Sequence, residues 1–204
     1  MSLDTYANLQ TAIASYLHRA DLTSAIPDFI TLCEAGFNRE LRIQTMETRV
    51  TATLDEEYED LPDDYIEMRR LKIIGESGKP LQYRPPEDLT LANPRGEAGS
   101  TNWYTIIGNT IQFSRTPSGW TMEMVYYKKI PVLSDSNTTN WMLTNNPDVY
   151  LYGALSAAAP YIVDDARLPV WKSLYAQAIQ SVRDEDRAKR ASGSPLVMRI
   201  GTSS

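Results

Sequence analysis

The chain has few of the residue types on which metal sites, disulfides and catalytic triads depend. Its 204 residues include one cysteine, Cys33, and one histidine, His18. A single cysteine excludes an intrachain disulfide and a metal site built from thiolates. One His and one Cys without a partner signature also exclude nucleophilic triads of the usual kind. The sequence therefore predicts no catalytic residue, no cofactor-binding residue and no metal ligand.

Long apolar runs are missing as well. No stretch approaches about 18 consecutive apolar residues, so no membrane span is predicted. The opening Met-Ser-Leu-Asp-Thr has neither the basic region nor the apolar core of a secretory signal, so synthesis in the cytoplasm is expected. With 42% hydrophobic and 23% charged residues, the composition is that of a soluble globular protein with one domain or two small ones.

Positive charge is scarce except near the C-terminus. The net charge of −6 disfavours general nucleic-acid binding, which depends on neutralising phosphates. An acidic stretch occupies the region before residue 65, and after Asp186 there is no acidic side chain at all. The basic residues beyond that point are Arg187, Lys189, Arg190 and Arg199. The sequence predicts a basic tail on an acidic body.

Two helices are predicted at each end of the chain. Residues 3–19 and 25–42 carry apolar residues at helical spacing. The segment 146–163 opens with Asn-Pro-Asp, which suits an N-cap, a first helical position and the positive end of the helix dipole. Pro160 is expected to kink or end this helix. The fourth helix runs from about residue 169 to 190 with one apolar stripe.

Small residues cluster on one face of the third of these helices. Gly153, Ala154, Ala157 and Ala158 are three or four positions apart, which places them on the same side. The spacing predicts a close approach by another helix.

The middle of the chain reads as β-structure. Strands are predicted at 46–54, at 67–74 with a return strand at 81–84, and at 120–127. The clearest hairpin is 103–113, where Gly108-Asn109 supplies the positive φ of a two-residue turn. A short helix is expected within 85–92, and 131–145 is expected to be a polar loop.

The predicted fold class follows from this order. It is α+β: mainly a helical bundle of two N-terminal and two C-terminal helices with an inserted antiparallel β region. The bundle takes 1–44 and 145–190, the β-rich region takes 45–144, and an extended C-terminal arm takes 191–204.

The arm contains four apolar residues in five positions. Ala191-Ser-Gly-Ser-Pro195 ends the last helix, and the residues that follow it are Leu196, Val197, Met198, Arg199 and Ile200. This segment is too short to form a sheet of its own, but it suits addition as a strand to an edge on another protein. The alternative is that it folds back on its own body.

Two pairs of adjacent aspartates support an alternative interpretation, in which the chain is an enzyme. Asp63-Asp64 and Asp164-Asp165 have the chemistry for general acid/base work or divalent-metal binding. Adjacent Asp residues are commoner in turns and at helix starts. A small carboxylate-dependent hydrolase is therefore the alternative function, and a nucleic-acid module using the basic tail is a third.

A resemblance adds to this reading. The block from Trp141 to Trp171, with Asn145-Asn-Pro-Asp-Val-Tyr-Leu-Tyr-Gly153, resembles the signature of tailed-phage head–tail adaptor proteins, also called connector or head-completion proteins. The turn Leu61-Pro-Asp-Asp-Tyr65 is similar to one that this family carries in its β region. The resemblance spans nearly the whole chain, and Pro160 within the small-residue helix is a departure.

The resemblance implies a structural virion protein at the head–tail interface, and another tail component is the alternative within the virion. In that family about twelve copies form a ring below the portal protein, and the ring's other face receives the tail or a second adaptor. The C-terminal arm docks on the portal, and DNA passes through the ring without sequence-specific binding. No cofactor and no membrane are implied.

Carried onto this sequence, the resemblance assigns three groups of residues. The binding arm for the portal or a neighbouring subunit comprises Pro195, Leu196, Val197, Met198, Arg199 and Ile200, and its basic base comprises Arg187, Lys189 and Arg190. Acidic side chains facing the channel would repel DNA and let it slide. The candidates for this lining are Asp55, Glu56, Glu57, Glu59 and Asp60.

Overall fold

Helices and strands occupy different parts of the chain in the structure, a computed structural model that describes residues 2–74, 79–94, 97–115, 119–162 and 166–192. The chain divides into two compact units. The helical unit joins Met1–Gln44 to Ile130–Ser204, and the β unit is Thr45–Lys129. The predicted α+β class is confirmed, with two sheets of mainly antiparallel strands.

Six α-helices lie in the described residues. They are α1 (Tyr6–Leu17), α2 (Ile26–Glu40), α3 (Pro86–Ala92), α4 (Trp141–Asn145), α5 (Pro147–Ala157) and α6 (Leu168–Ala191). Short 3₁₀ helices span Ala20–Ala25, Gln44–Met46 and Ala159–Tyr161. All α-helices except α3 belong to the helical unit. The two helices predicted at the N-terminus are confirmed as α1 and α2.

Local sequence signals account for several helix ends. Thr5 caps α1, its Oγ1 accepting from the amide of Asn8 at 3.3 Å, and His18 closes α1 in the left-handed conformation with φ 52°. Pro160 acts as predicted, because α5 stops at Ala157 and a 3₁₀ turn follows. The cap expected of Asn146 is wrong, since its side chain makes no capping hydrogen bond.

Helix α5 lies at the centre of the helical unit. It contacts α1, α2, α4 and α6, so it is surrounded by other helices. Most of its residues are buried: Val149, Tyr150, Leu151, Gly153, Ala154 and Leu155. An eleven-residue helix that is apolar on most sides needs such an environment to be stable.

Gly153 is a point of close approach of α2 and α6 to α5. A Cβ added there would overlap with Sγ of Cys33 and would lie 3.0 Å from Cε2 of Tyr175. Cys33 is on α2 and Tyr175 is on α6, so the missing side chain accommodates a neighbour from each helix. The close approach predicted from the small residues therefore occurs here.

A buried polar network ties the segment before α5 to the helices. Glu34, 3% exposed, accepts from the amide of Leu133 at 2.8 Å and from the hydroxyl of Tyr150 at 3.0 Å. Asn140 donates to the Tyr150 hydroxyl at 2.6 Å, and its Oδ1 accepts from the amide of Leu143 at 2.9 Å. Burial raises the pKa of Glu34 and, with the nearby Glu34 charge, that of Tyr150.

This network explains two differences from the sequence-based expectation. Residues 130–144 pack with the helical unit, whereas the sequence assigned them to the β-rich region. Part of the predicted polar loop 131–145 is helix α4, which Asn140 caps. The buried acceptor on α2 lies 99 positions from Leu133 and so gives no local signal, whereas the Asn140 cap is a local signal that the sequence analysis did not use.

In the residues that the structure describes, the β unit has seven strands in two sheets. They are β1 (Glu47–Leu54), β2 (Tyr58–Asp60), β3 (Tyr65–Ile74), β4 (Gln82–Tyr83), β5 (Trp103–Ile107), β6 (Thr110–Phe113) and β7 (Trp120–Lys128). The strand orders are β1-β7-β3 and β2-β6-β5-β4. Both sheets contribute to one core, which includes Leu54, Leu71, Phe113, Met122, Met124 and Tyr126.

The hairpin prediction is confirmed and one strand pairing is corrected. β5 and β6 join through Gly108-Asn109, with Gly108 at φ 62°. The return strand predicted at 81–84 pairs instead in parallel with β5, in the register Gln82 to Trp103. The amide of Leu81 donates to the carbonyl of Leu71 at 2.7 Å.

We predict that Gly153→Ala lowers the free energy of unfolding by about 1–3 kcal/mol, because the new methyl group overpacks the contact with Cys33 and Tyr175. The measurement is urea denaturation of the purified variant. Gly36→Ala is the matched control, since the nearest side-chain atom to a Cβ there is the Tyr175 hydroxyl at an ordinary 3.6 Å. The control should be neutral or stabilising by up to about 1 kcal/mol through helix propensity. Equal stabilities of the two variants would contradict this account of Gly153.

Candidate functional site

Helix α6 continues well past the core of the helical unit. Its last buried residue is Val182, and the helix ends at Ala191. The nine residues 183–191, here called the polar end of α6, span about 13 Å of helix. All their side chains are exposed except Asp186, which is half-buried. The predicted base of the arm, Arg187, Lys189 and Arg190, lies on this segment.

The basic residues of the polar end are paired with carboxylates one turn earlier on the same helix. Arg187 Nη1 lies 3.0 Å from Asp184 Oδ1, and Lys189 Nζ lies 3.7 Å from a carboxylate oxygen of Glu185. Arg190 Nε lies 2.7 Å from Asp186 Oδ2. Spacings of three and four residues bring such pairs together on a helix. The segment is therefore less basic than the sequence after residue 186 suggested.

Asp186 attaches the polar end to the chain that follows α2. Its Oδ1 accepts from the amide of Gln44 at 2.6 Å while its other oxygen pairs with Arg190. Arg183 reaches the same region, with Nη2 at 3.2 Å from the carbonyl oxygen of Glu40 and 3.9 Å from its carboxylate. The carboxyl end of α2 and the polar end of α6 thus form the two walls of a groove.

We call this feature the arginine groove. It has a volume of about 380 Å³ and is lined by Glu40, Arg42, Ile43, Arg183, Asp186, Arg187 and Arg190. Four arginines face two carboxylates there. Arg42 Nη1 donates to the carbonyls of Asn38 at 2.9 Å and Leu41 at 2.6 Å, which caps the end of α2. Sequence reasoning missed the groove because residues 44 and 186 meet only through tertiary packing.

The predicted acidic residues lie together in the connection from β1 to β2 and in β2 itself. Asp55, Glu56 and Asp60 are exposed, and Glu57 and Glu59 are half-buried. Glu57 accepts from Gln112 Nε2 at 2.8 Å. The pKa of Glu59 is raised, first by burial and then by its acidic neighbours. We call residues 55–60 the acidic turn; that they face a channel stays a prediction.

The aspartates of the enzyme alternative have structural contacts in this fold. The turn 61–65 forms as predicted, with the amide of Tyr65 donating to the carbonyl of Pro62 at 2.9 Å. Asp64 Oδ1 accepts from the Tyr126 hydroxyl at 2.8 Å, which ties the turn to β7. Asp164 and Asp165 lie outside the described residues. Among the residues that are described, no three His, Cys, Asp or Glu side chains group as a metal site.

Glu123 is the centre of a charged cluster on the face of the β1-β7-β3 sheet opposite the core. Its side chain is 7% exposed, and three cations surround it. Arg70 Nη2 lies 2.8 Å from Oε1, Lys72 Nζ 3.2 Å from Oε1 and Arg49 Nη1 3.6 Å from Oε2. Burial acts to raise the pKa of this carboxyl, but the three cations outweigh it and hold the pKa below its ordinary value.

The Glu123 cluster also escaped prediction from sequence. Strand register places Lys72 opposite Glu123, and Arg49 and Arg70 opposite Val125. Strand alternation alone puts Arg49 on one face of β1, but the partner strand decides which charge it meets.

The comparison with known families bears on the whole chain. A family model described as SU10 adaptor protein matches residues 4–199, which include parts of both compact units. The chain belongs to the SU10 adaptor protein family. The predicted resemblance to phage head–tail adaptors is thereby confirmed. No curated protein sequence matches the chain.

Membership of the SU10 adaptor family gives the broad function. It makes the chain a structural protein of a bacteriophage, of the head–tail adaptor class. The match extends to Arg199, so it includes most of the predicted arm, although residues 195–200 lie outside those that the structure describes. Within the described helices, none has the length and apolar composition needed to cross a bilayer.

We predict that Glu123→Gln lowers the melting temperature at neutral pH, because three cations lose the carboxylate between them. The pKa of Glu123 is lower in the folded protein than in the unfolded chain. The ionised carboxylate therefore stabilises the fold fully above about pH 4.3, and this stabilisation is lost as the pH falls through the pKa of Glu123 in the folded protein. The gap in melting temperature between variant and wild type should therefore close in acid. Thermal unfolding from pH 7 to pH 3 measures this.

Glu87→Gln is the matched control for Glu123→Gln, because it removes the same charge from an exposed position on α3 of the same unit. The control should leave the melting temperature near that of wild type at every pH. A gap for Glu123→Gln that stays constant down to pH 3 would show that its effect is not electrostatic.

Proposed function

We propose that this SU10 adaptor family member forms a ring of about twelve copies below the portal of a tailed phage and extends the DNA channel towards the tail. The family match over residues 4–199 is the observation that carries the proposal. The ring contacts the portal on one face and tail components or a second adaptor on the other. Its place is the head–tail interface of the virion.

The C-terminal arm is the proposed portal-binding element. Helix α6 is 24 residues long, about 36 Å, and its polar end extends beyond the last buried residue. The arm therefore follows a solvated helix rather than a core element. Its apolar residues Leu196, Val197, Met198 and Ile200 suit pockets along a sheet edge or groove, and Arg199 suits a charge contact.

The overall charge supports passage of DNA rather than its retention. With a net charge of −6, the protein repels phosphates over much of its surface. In the described part of the chain, Arg187, Lys189 and Arg190 of α6 are already paired with carboxylates. Non-specific attraction of DNA is thereby reduced.

A structural role is proposed in preference to hydrolysis. The carboxylate of Asp64 holds the start of β3 against Tyr126, so its substitution should change stability before it changes any chemistry. We therefore expect no hydrolytic activity to depend on Asp63 or Asp64.

We predict that removing residues 193–204 leaves the body folded but abolishes assembly on the portal. This truncation retains all of α6, which ends at Ala191. Light scattering of the protein with its portal, followed by electron microscopy of the large species, measures assembly. Full-length protein should give portal particles with an added ring, and the truncation should give bare portals.

A further variant and its control test the apolar residues of the arm. Leu196→Ser with Ile200→Ser removes the proposed apolar contacts with the portal and should weaken assembly strongly. Lys172→Gln, a change at an exposed position near the start of α6, is the control and should leave assembly unchanged. Undiminished portal binding by the truncation would refute the arm assignment. Failure of the full-length protein to bind the portal would refute the adaptor proposal itself.

A further inference from the structure

Strand β1 has a long, regular edge with no neighbouring strand in the described part of the chain. It is the outermost strand of the β1-β7-β3 sheet, and it pairs with β7 over eight residues without a register shift. The opposite edge strand, β3, has two register shifts, and its Leu71 carbonyl accepts from the Leu81 amide at 2.7 Å. The edges of the other sheet, β2 and β4, have only three and two residues. Irregular, covered or short edges resist pairing with another chain, so β1 is the described edge that is open to it.

Three residues of β1 present their backbone groups at this edge. The amide of Gly119, which directly precedes β7, donates to the carbonyl of Leu54 at 3.0 Å, so this carbonyl points towards β7. Backbone groups point to alternate sides along a strand, so those of Arg49, Thr51 and Thr53 point away from β7. Within the described residues, no hydrogen bond reaches the amides or carbonyls of these three residues. They are therefore available to a further strand.

The sequence of β1 is complementary to itself. Residues 49–55 read Arg-Val-Thr-Ala-Thr-Leu-Asp, and a second copy of the segment can lie antiparallel to the first with Ala52 opposite Ala52. In that register the outward backbone groups of the two copies face each other. The other three pairs each match in charge or polarity: Arg49 with Asp55, Val50 with Leu54, and Thr51 with Thr53. Opposite charges, apolar pairs and threonine pairs are the cross-strand contacts that stabilise a sheet.

The centre of this segment is exposed on both faces of the sheet. Thr51, Ala52 and Thr53 are all exposed. Ala52 lies opposite Met122, which is buried in the core of the β unit, so Ala52 is on the core side and yet uncovered. A further strand beside β1 would extend the core side past Ala52.

The charged pair at each end has its side chains accessible. Arg49 contacts Glu123 at 3.6 Å, the longest of the three contacts between Glu123 and a cation, and its side chain is 70% exposed. Asp55 is exposed, and within the described residues it forms no ion pair with a lysine or arginine. The register would place Asp55 of one copy beside Arg49 of the other at both ends of the pair.

The C-terminal arm is the competing strand for this edge. Its one charged residue is Arg199, so it offers Arg49 no carboxylate. A second copy of β1 supplies that carboxylate, and it matches the three inner positions as well. The second β1 is therefore the better match.

We propose that β1 pairs antiparallel with β1 of a second copy, about a two-fold axis at Ala52, in the free protein before it meets the portal. The contact is closed, because each copy uses the only β1 edge that the other leaves open, so six strands form one sheet and no fibre grows. Copies within a ring are related by rotation about the ring axis, so this two-fold pair is distinct from the ring contact and goes beyond the proposed function. A contact of seven residues a side is small, so the dimer is reversible.

A disulfide between two copies tests the register. Ala52→Cys places a thiol at the centre of the pair, where the two Cα atoms of a non-hydrogen-bonded pair lie about 4.5 Å apart, within the range of a disulfide. The native Cys33 is buried. With oxidised glutathione and without the portal, the purified variant should form covalent dimer in at least tenfold higher yield than wild type at equal concentration.

Thr51→Cys is the matched control, at the neighbouring exposed position. In the proposed register Thr51 faces Thr53 of the second copy, and two Thr51 residues lie about 8 Å apart, too far for a disulfide. Thr51→Cys alone should therefore give little covalent dimer, whereas its mixture with Thr53→Cys should give a dimer that contains both chains. Equal yields from Ala52→Cys alone and Thr51→Cys alone would overturn the proposal.

Light scattering of the free protein over a range of concentrations measures the dimer without a cross-link. Thr51→Pro removes an amide hydrogen at the open edge but no bond to β7, so it should raise the dissociation constant at least tenfold. Thr51→Val keeps the amide and should dimerise like wild type, and circular dichroism checks that both variants fold. A wild-type protein that stays monomeric up to its solubility limit would refute the pair.

Two charge variants provide a test that leaves the inner positions unchanged. Asp55→Arg alone places arginines opposite each other, and Arg49→Asp alone places aspartates opposite each other, so each should dimerise at least tenfold more weakly than wild type. When the two variants are mixed, an arginine meets an aspartate at both ends, and dimers of one chain of each kind should form. A mixture with no more dimer than the separate variants would contradict the register.

Removal of residues 193–204 distinguishes β1 from the arm. The truncated protein should dimerise like the full chain, and loss of the dimer would assign the open edge to the arm and overturn the proposal. None of these measurements uses the portal. A negative result therefore refutes the β1 pair alone, and the adaptor proposal is tested separately by portal binding.

Discussion

The helical unit depends on how closely α2 and α6 approach α5. Gly153 allows that approach, because Cys33 and Tyr175 occupy the space that a larger side chain would fill. Aromatic contacts extend the same junction: Phe37 lies 5.0 Å from the ring of Tyr150 and 6.4 Å from that of Tyr175. Since α6 is one continuous helix, the packing at Gly153 also fixes where its polar end lies beside the end of α2.

A buried carboxylate gives the same unit its second constraint. Burying Glu34 costs free energy unless its carboxyl group is hydrogen-bonded, and the amide of Leu133 and the hydroxyl of Tyr150 both donate to its Oε1. Because burial raises the pKa of Glu34, the folded protein favours the protonated carboxyl group. The free energy of unfolding therefore falls as the pH rises through the pKa that Glu34 has in the folded protein. These hydrogen bonds hold residues 130–140 against α2 and α5, so that this segment packs as part of the helical unit.

Features with a local sequence pattern were predicted correctly, and features that depend on contacts between distant residues were not. Periodicity located α1, α2, α5 and α6, and Gly108-Asn109 located the β5–β6 hairpin, because each signal lies within the element it describes. The parallel partner of β4 was not predictable, since a two-residue strand carries no pattern of its own. The arginine groove and the Glu123 cluster join residues more than fifty positions apart, so only packing reveals them.

Several cations of this protein pair with its own carboxylates. Glu123 gathers three of them on the β unit, and the carboxylates of the polar end of α6 pair with three more. Such pairs add little stability when exposed, but they lower the attraction of the surface for DNA. Within the described chain, no lysine or arginine pairs with the five carboxylates of the acidic turn, so negative charge stays concentrated there. A surface whose cations are largely engaged by its own carboxylates and whose remaining charge is negative binds phosphates weakly, which agrees with the proposed passage of DNA through a ring.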